Sequence, residues 1–184
     1  LWGTLIYNDG EVGDADIEAW LAAAGADVKL TDMFNVHGEI FYASGDDNLA
    51  DDDYEGFSSI PGQSYYWSEI MGLGMFDMGA GVSNNAPGAD VTNIIAANLG
   101  VTFAPMEKLT VSADLWYATL NEELAPGIDE DLGFEIDLRA TYQIVDGLNL
   151  DVVGAYLFAG DSTTENAPNE EDPWEIGTQL SLSF

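Results

Sequence analysis

Positive charge is what this chain of 184 residues most lacks: Lys29, Lys108 and Arg139 are its only cations, against 34 Asp and Glu, for a formal net charge of −31. Phosphate neutralisation needs clustered basic side chains, so nucleic-acid binding is excluded. There is no cysteine, which removes disulfide frameworks and thiolate metal sites and is compatible with folding in an oxidising compartment. No apolar run reaches the roughly 18 residues that a membrane-spanning helix requires. The chain opens at Leu1 without Met, a basic stretch or an apolar h-region, so any export signal lies outside it.

What is present is apolar: 47% of the residues are hydrophobic and 11% aromatic. A disordered acidic tail would lack them, so charge and apolar surface must be segregated within a folded object. The segregation has period two. At the C-terminus Trp174, Ile176, Thr178, Leu180, Leu182 and Phe184 share one face, and Glu175, Gly177, Gln179, Ser181 and Ser183 the other. That is a strand with one dry and one wet face. Over residues 148–158 the dry row is Leu148, Leu150, Val152, Gly154, Tyr156 and Phe158, with Asn149, Asp151, Val153, Ala155 and Leu157 opposite. Over 132–145 Leu132, Phe134, Ile136, Leu138, Ala140, Tyr142 and Ile144 oppose Gly133, Glu135, Asp137, Arg139, Thr141 and Gln143. Leu109, Val111, Ala113, Leu115 and Tyr117 oppose Thr110, Ser112, Asp114 and Trp116, and over 91–103 a dry row from Val91 and Asn93 to Phe103 opposes Thr92, Ile94, Ala96, Asn98, Gly100 and Thr102. Phe34, Val36, Gly38, Ile40 and Tyr42 oppose Asn35, His37, Glu39, Phe41 and Ala43. Over 20–30 Trp20, Ala22, Ala24, Ala26, Val28 and Leu30 are placed outward and Ala23, Gly25, Asp27 and Lys29 inward; residues 1–7 read as the end of one more strand.

Eight strands result. Their links alternate in length: short at Thr31-Asp32, at 104–108 and at Asp146-Gly147, a two-residue hairpin signal, but long at 8–15, 45–90, 121–131 and 160–173. Short turns at one end and long loops at the other are the arrangement of an outer-membrane β-barrel, whose strands need only about 9–11 residues of alternating character. The long links hold 22 of the 34 acidic residues. The expected fold is therefore an all-β transmembrane antiparallel barrel, residues 1–184 forming one domain or the C-terminal part of one, rather than a soluble sandwich. Trp20, Trp174, Tyr117, Tyr142, Tyr156 and Phe158 fall near strand ends, where aromatic girdles sit.

The run Tyr42-Ala43-Ser44-Gly45-Asp46-Asp47-Asn48, followed by an Asp-rich stretch and Tyr65-Tyr66-Trp67-Ser68-Glu69, resembles the alginate-export family of outer-membrane porins, mainly over residues 15 to 75. The resemblance implies a barrel of about 16 to 18 strands, of which this chain is the C-terminal part. It also implies that residues 45–90 form an extracellular loop folded over or into the channel. A conduit for a polyanion should be rich in Arg and Lys, whereas Arg139 and Lys29 are the only inward cations. The architecture carries over; the substrate does not.

Glu39, Asp114, Glu135, Asp137, Asp151 and Glu175 point to the expected lumen, six carboxylates that would focus a negative potential and favour cations. Arg139, between Asp137 and Asp151, fits a wall ion pair. Asp46, Asp47, Asp51, Asp52 and Asp53 offer oxygen ligands, but the EF-hand spacing is missing. A solvated rim, with weak Ca²⁺ binding beside lipopolysaccharide, suits them, and no other cofactor is expected. His37, the one histidine, lies inward, and Gly-x-Ser-x-Gly does not occur, so no enzyme is expected. The function read from these features is passive diffusion of small solutes through an outer-membrane channel. The rivals are a small structural or adhesive barrel with a plugged lumen, and a sheath around a partner protein. The terminal row Ile176, Leu180, Leu182 and Phe184 resembles the signal read by the barrel-assembly machinery. Deleting Phe184 is expected to impair insertion far more than Ser183→Ala, read as the heat-modifiable, membrane-inserted fraction; equal insertion of the two would remove the signal reading.

Overall fold

A computed structural model describes residues 1–13, 15–48, 51–58, 67–72, 74, 88, 90–123, 127, 129–164 and 171–184. Among them nine strands form one sheet: β1 (Trp2–Val12), β2 (Ala15–Lys29), β3 (Phe34–Ala43), β4 (Asp53–Tyr54), β5 (Ile94–Met106), β6 (Leu109–Leu120), β7 (Asp131–Val145), β8 (Leu148–Ala159) and β9 (Trp174–Leu182). One helical turn, α1 (Asp161–Thr164), follows β8. Eight strands pair antiparallel with their neighbours in chain order, and the two-residue β4 lies parallel on β2. The sheet is not closed: β1 and β9 are its edges.

The alternation has the physical consequence expected of it. Leu99 is 61% exposed, Ile176 71% and Leu138 53%, while Phe41, Ile94 and Leu157 on the opposite face are at most 2% exposed. Exposed apolar rows on the outer face and a buried inner face invert a soluble sandwich, and suit a protein whose outer solvent is lipid.

Four boundaries differ from the sequence reading. The link at 8–15 is not a long loop, because β1 and β2 stay paired from Trp2↔Gly25 to Val12↔Ala15, with Gly13 at positive φ beyond the last pair. The turn expected over 104–108 contracts to Glu107 and Lys108, with a register shift between Phe103 and Met106. Val91 and Asn93 are not outward strand residues: both have positive φ (47° and 51°), and Val91 is buried. Leu132 is not outward either. The β6–β7 register slips between Ala118 and Thr119, leaving Leu132 as the extra residue of a bulge beside Gly133 at φ 121°, and the leucine turns into the core. By contrast Asp146-Gly147 is the expected hairpin turn, with Gly147 at φ 76°.

The bulge makes a specific demand. A Cβ at Gly133 would collide with the Phe158 carbonyl oxygen, and its φ already disfavours any L side chain. Gly133→Ala is expected to destabilise the barrel by roughly 1–3 kcal/mol. The check is a lower temperature for loss of the compact, heat-modifiable form in detergent; an unchanged temperature would mean that the bulge relaxes freely.

Candidate functional site

Cross-strand register arranges the inner face in rows. Glu39, Asn98, Trp116, Glu135 and Leu157 form one; His37, Gly100, Asp114, Asp137, Ala155 and Glu175 form the next towards the short turns. The rows divide the face chemically. On the long-loop side Phe41, Ala43, Ile94, Ala96, Trp116, Ala118 and Leu120 make a dry bed, and on the short-turn side the residues are mostly polar.

A chain segment lies on that bed. Residues 67–72 come from the middle of the 45–90 link, and Trp67 packs edge-on against both Phe41 (5.5 Å) and Trp116 (5.3 Å), while Met71 is fully buried. The segment is a bend and turn rather than a strand, and its backbone N–H groups have no strand to bond. The wall supplies the acceptors: Glu135 Oε1 and Oε2 accept from Ile70 N–H and Met71 N–H, both at 2.7 Å, and Asp137 Oδ2 accepts from Glu69 N–H at 3.3 Å. The two short bonds to Glu135 are what makes a fully buried carboxyl there tolerable, since each buried polar group satisfies the other. The indole of Trp67 donates to the Gly88 carbonyl at 3.1 Å, and Gly88 N–H to the Met71 carbonyl at 2.8 Å, so the returning chain is tied to the same segment.

Two residues hold the ends of the link. Ser44 N–H and Trp20 N–H bond reciprocally with the Trp20 carbonyl and Ser44 Oγ, the Ser44 hydroxyl donates to the Glu55 carbonyl, and the Ser44 carbonyl accepts from both Phe57 and Asn93. Asn93 Oδ1 accepts from Asn121 N–H and Glu122 N–H, and Asn93 Nδ2 donates to the Glu122 carbonyl. Asparagine tolerates the left-handed conformation that this crossing needs.

On the polar side two pairs form. His37 Nε2 lies 2.7 Å from Asp114 Oδ1, reaching over Gly100, where a Cβ would strike both side chains; Asn98 Nδ2 donates to the same oxygen at 3.1 Å. Arg139 donates through Nε (3.1 Å) and Nη2 (2.9 Å) to Asp151 Oδ1, which also accepts from Thr141. Arg139 is thus paired with Asp151 and not shared with Asp137. Glu39 and Glu175 lie half-buried on the same inner face. Lys29 pairs with exposed Asp32 at 2.9 Å beside the short turn.

A family model described as alginate export matches residues 1–173. The chain belongs to the alginate-export family. Its members are outer-membrane β-barrel channels, a transport class and not a class of enzyme. The match extends well beyond the 15–75 stretch that carries the sequence resemblance, of which Tyr65 and Tyr66 lie outside the described residues. No curated protein sequence matches the chain.

In this family member the acidic loop candidates are used locally. Asp46 Oδ1 accepts from Asn48 N–H, Asp51 Oδ1 from Asp53 N–H and Asp51 Oδ2 from Asn48 Nδ2, and Asp16 N–H donates to the Asp52 carbonyl where β4 joins β2. Among the described residues no three acidic or histidine side chains converge on a metal position. At the far end Ile176, Leu180 and Leu182 stand on the outer face of β9, strongly exposed, and Phe184 lies past the end of that strand.

The sequence reading missed Ser44, Asn93, Trp67 and the donors of residues 69–71. Ser44 sits inside the Ala-Ser-Gly-Asp run and could have been singled out; backbone donors leave no trace in a sequence. The Asp47 charge, with smaller contributions from burial and from Asp46, Asp51 and Asp53, raises the Glu55 carboxyl above its usual range. The protonated loop is therefore favoured at low pH, and that stabilisation is lost as pH rises through the raised pKa of Glu55. Hydrogen exchange over 46–58 should quicken, relative to its intrinsic pH dependence, as pH is raised through that range. Glu55→Gln should flatten the excess, and an unaltered profile would show that the repulsion is solvent-screened.

Proposed function

We propose that this chain contributes to a passive outer-membrane channel for small solutes, narrowed by residues 67–72 and favouring cations. The observation that carries the reading is the clamp of Glu135 on Ile70 N–H and Met71 N–H, which fixes a loop segment on the inner wall. A fixed segment reduces the bore without requiring a moving lid.

The charge balance supports cation preference. Of the inner carboxylates, Asp151 has a cationic partner, whereas Glu135 is bonded by neutral backbone amides. A negative potential inside a low-dielectric wall concentrates cations. The same balance disfavours a polyuronate as cargo, since the chain holds three cations against 34 acidic residues.

Two measurements on the intact barrel test the reading. In planar bilayers under a salt gradient the reversal potential should indicate cation preference, and Asp151→Asn, which leaves Arg139 uncompensated, should shift it towards anions. Anion preference in the unmodified protein would overturn the selectivity. Glu135→Ala should raise single-channel conductance by freeing residues 67–72; unchanged conductance would mean that the segment does not narrow the conducting path.

A further inference from the structure

We propose that Asp137 and Glu135 share one bound proton, and that this proton is the catch that keeps residues 67–72 on the wall and lets them go as pH rises. Its consequence for conductance rests on the channel reading above; the catch itself does not. Asp137 is only 7% exposed, and its two oxygens are treated differently. Oδ2 accepts from Glu69 N–H at 3.3 Å, whereas Oδ1 is buried with no hydrogen-bond donor among the described residues. A carboxyl oxygen out of water and without a donor is costly. The group beside it is a second carboxyl: Glu135, two residues earlier on the same face of β7, lies within hydrogen-bonding reach of Asp137 while its own oxygens take the Ile70 and Met71 amides. Two carboxylates in contact repel each other. A proton between them turns the contact into a hydrogen bond and supplies the missing donor.

The surroundings offer no other compensation. On β6, Asp114 stands directly opposite Asp137 and is held by His37 Nε2 at 2.7 Å and Asn98 Nδ2 at 3.1 Å. The next inward residue of β7, Arg139, gives both Nε and Nη2 to Asp151 of β8. Ala155 of β8 faces Asp137 without charge, and Glu175 of β9 follows it in the same row. From the loop side Glu69 adds a further carboxylate. Among the described residues no uncommitted Lys or Arg faces the pair, so without a proton it would be an uncompensated buried charge.

The direction of the response follows from proton counting. The latched state binds one proton more than the released state, in which both carboxyls stand in water and ionise, so rising pH drives release. The segment is then expelled by the carboxyls that held it, and the bore widens.

The test is hydrogen exchange, read by mass spectrometry on the full-length protein in detergent, from mildly acidic to alkaline pH. Protection of residues 67–72 should fall by up to about tenfold per pH unit, the slope of one proton, after correction for intrinsic exchange, while β5 and β6 keep theirs. Asp137→Asn retains an acceptor for Glu69 N–H and gives Glu135 a permanent N–H donor, so this variant should stay latched and lose the slope. The infrared carbonyl band of a protonated carboxyl reads the proton without any substitution; it should be present wherever the segment is protected and vanish in step with protection. Absence of the slope, the same slope in Asp137→Asn, or absence of the band would overturn the catch. Release by EDTA at constant pH would overturn it too, by putting a metal ion in the proton's place. Single-channel conductance separates the two levels. Proton-linked exchange with conductance that ignores pH keeps the catch and refutes the narrowing, whereas conductance raised by Glu135→Ala without proton-linked exchange refutes the catch alone.

Discussion

The carboxylate of Glu135 is the constraint on which the interior depends. A loop laid across the inside of a barrel brings backbone N–H groups that the sheet cannot pair, and a carboxylate on the wall beneath it loses its water. Each problem solves the other when Glu135 accepts from Ile70 and Met71 at 2.7 Å. Trp67 can then pack edge-on against Phe41 and Trp116, and Met71 can join the buried cluster, because the backbone that carries them is already satisfied. Truncating Glu135 would leave orphaned amides rather than merely a lost charge, and for a buried group that is the costlier outcome.

The same arrangement reconciles a net charge of −31 with a chain that is 47% hydrophobic. Apolar residues are needed twice, on the outer face against lipid and on the long-loop half of the inner face beneath residues 67–72. Acidic residues go where water remains: the long loops and the polar half of the wall. The three cations also lie towards the short-turn end, Lys29 and Lys108 at turns and Arg139 on the polar half of β7. Charge is thus graded along the barrel axis as well as between its faces.

Alternation was legible because the outer face meets one medium over the length of a strand, and Leu99, Leu138 and Ile176 obey it. It failed where backbone geometry changes the parity. Leu132 is flipped by the bulge next to Gly133, and Val91 is buried by a left-handed turn at the return of the link, which a β-branched residue rarely enters. The glycine beside Leu132 was a hint, since an isolated glycine in a strand pattern often marks a bulge. The path of residues 67–72 was not legible. Alternation sets Glu135 and Asp137 on the inward row, but nothing in their sequence context distinguishes a carboxylate facing water from one that holds a neighbouring backbone.

Glycines mark which contacts the strands were built around. On the inner face, a Cβ at Gly100 would break the path of the His37–Asp114 bond, and at Gly133 a Cβ would strike the carbonyl of Phe158. In both cases the molecule itself explains the missing side chain. At Gly154, on the outer face, it does not, because the space above is open. Gly3 and Gly10 in β1 are open in the same way, so these positions are not fixed by contacts within the chain. On an outer face flanked by Leu138, Ile176, Tyr156 and Trp174, the medium that meets Gly154 is the hydrocarbon of the membrane.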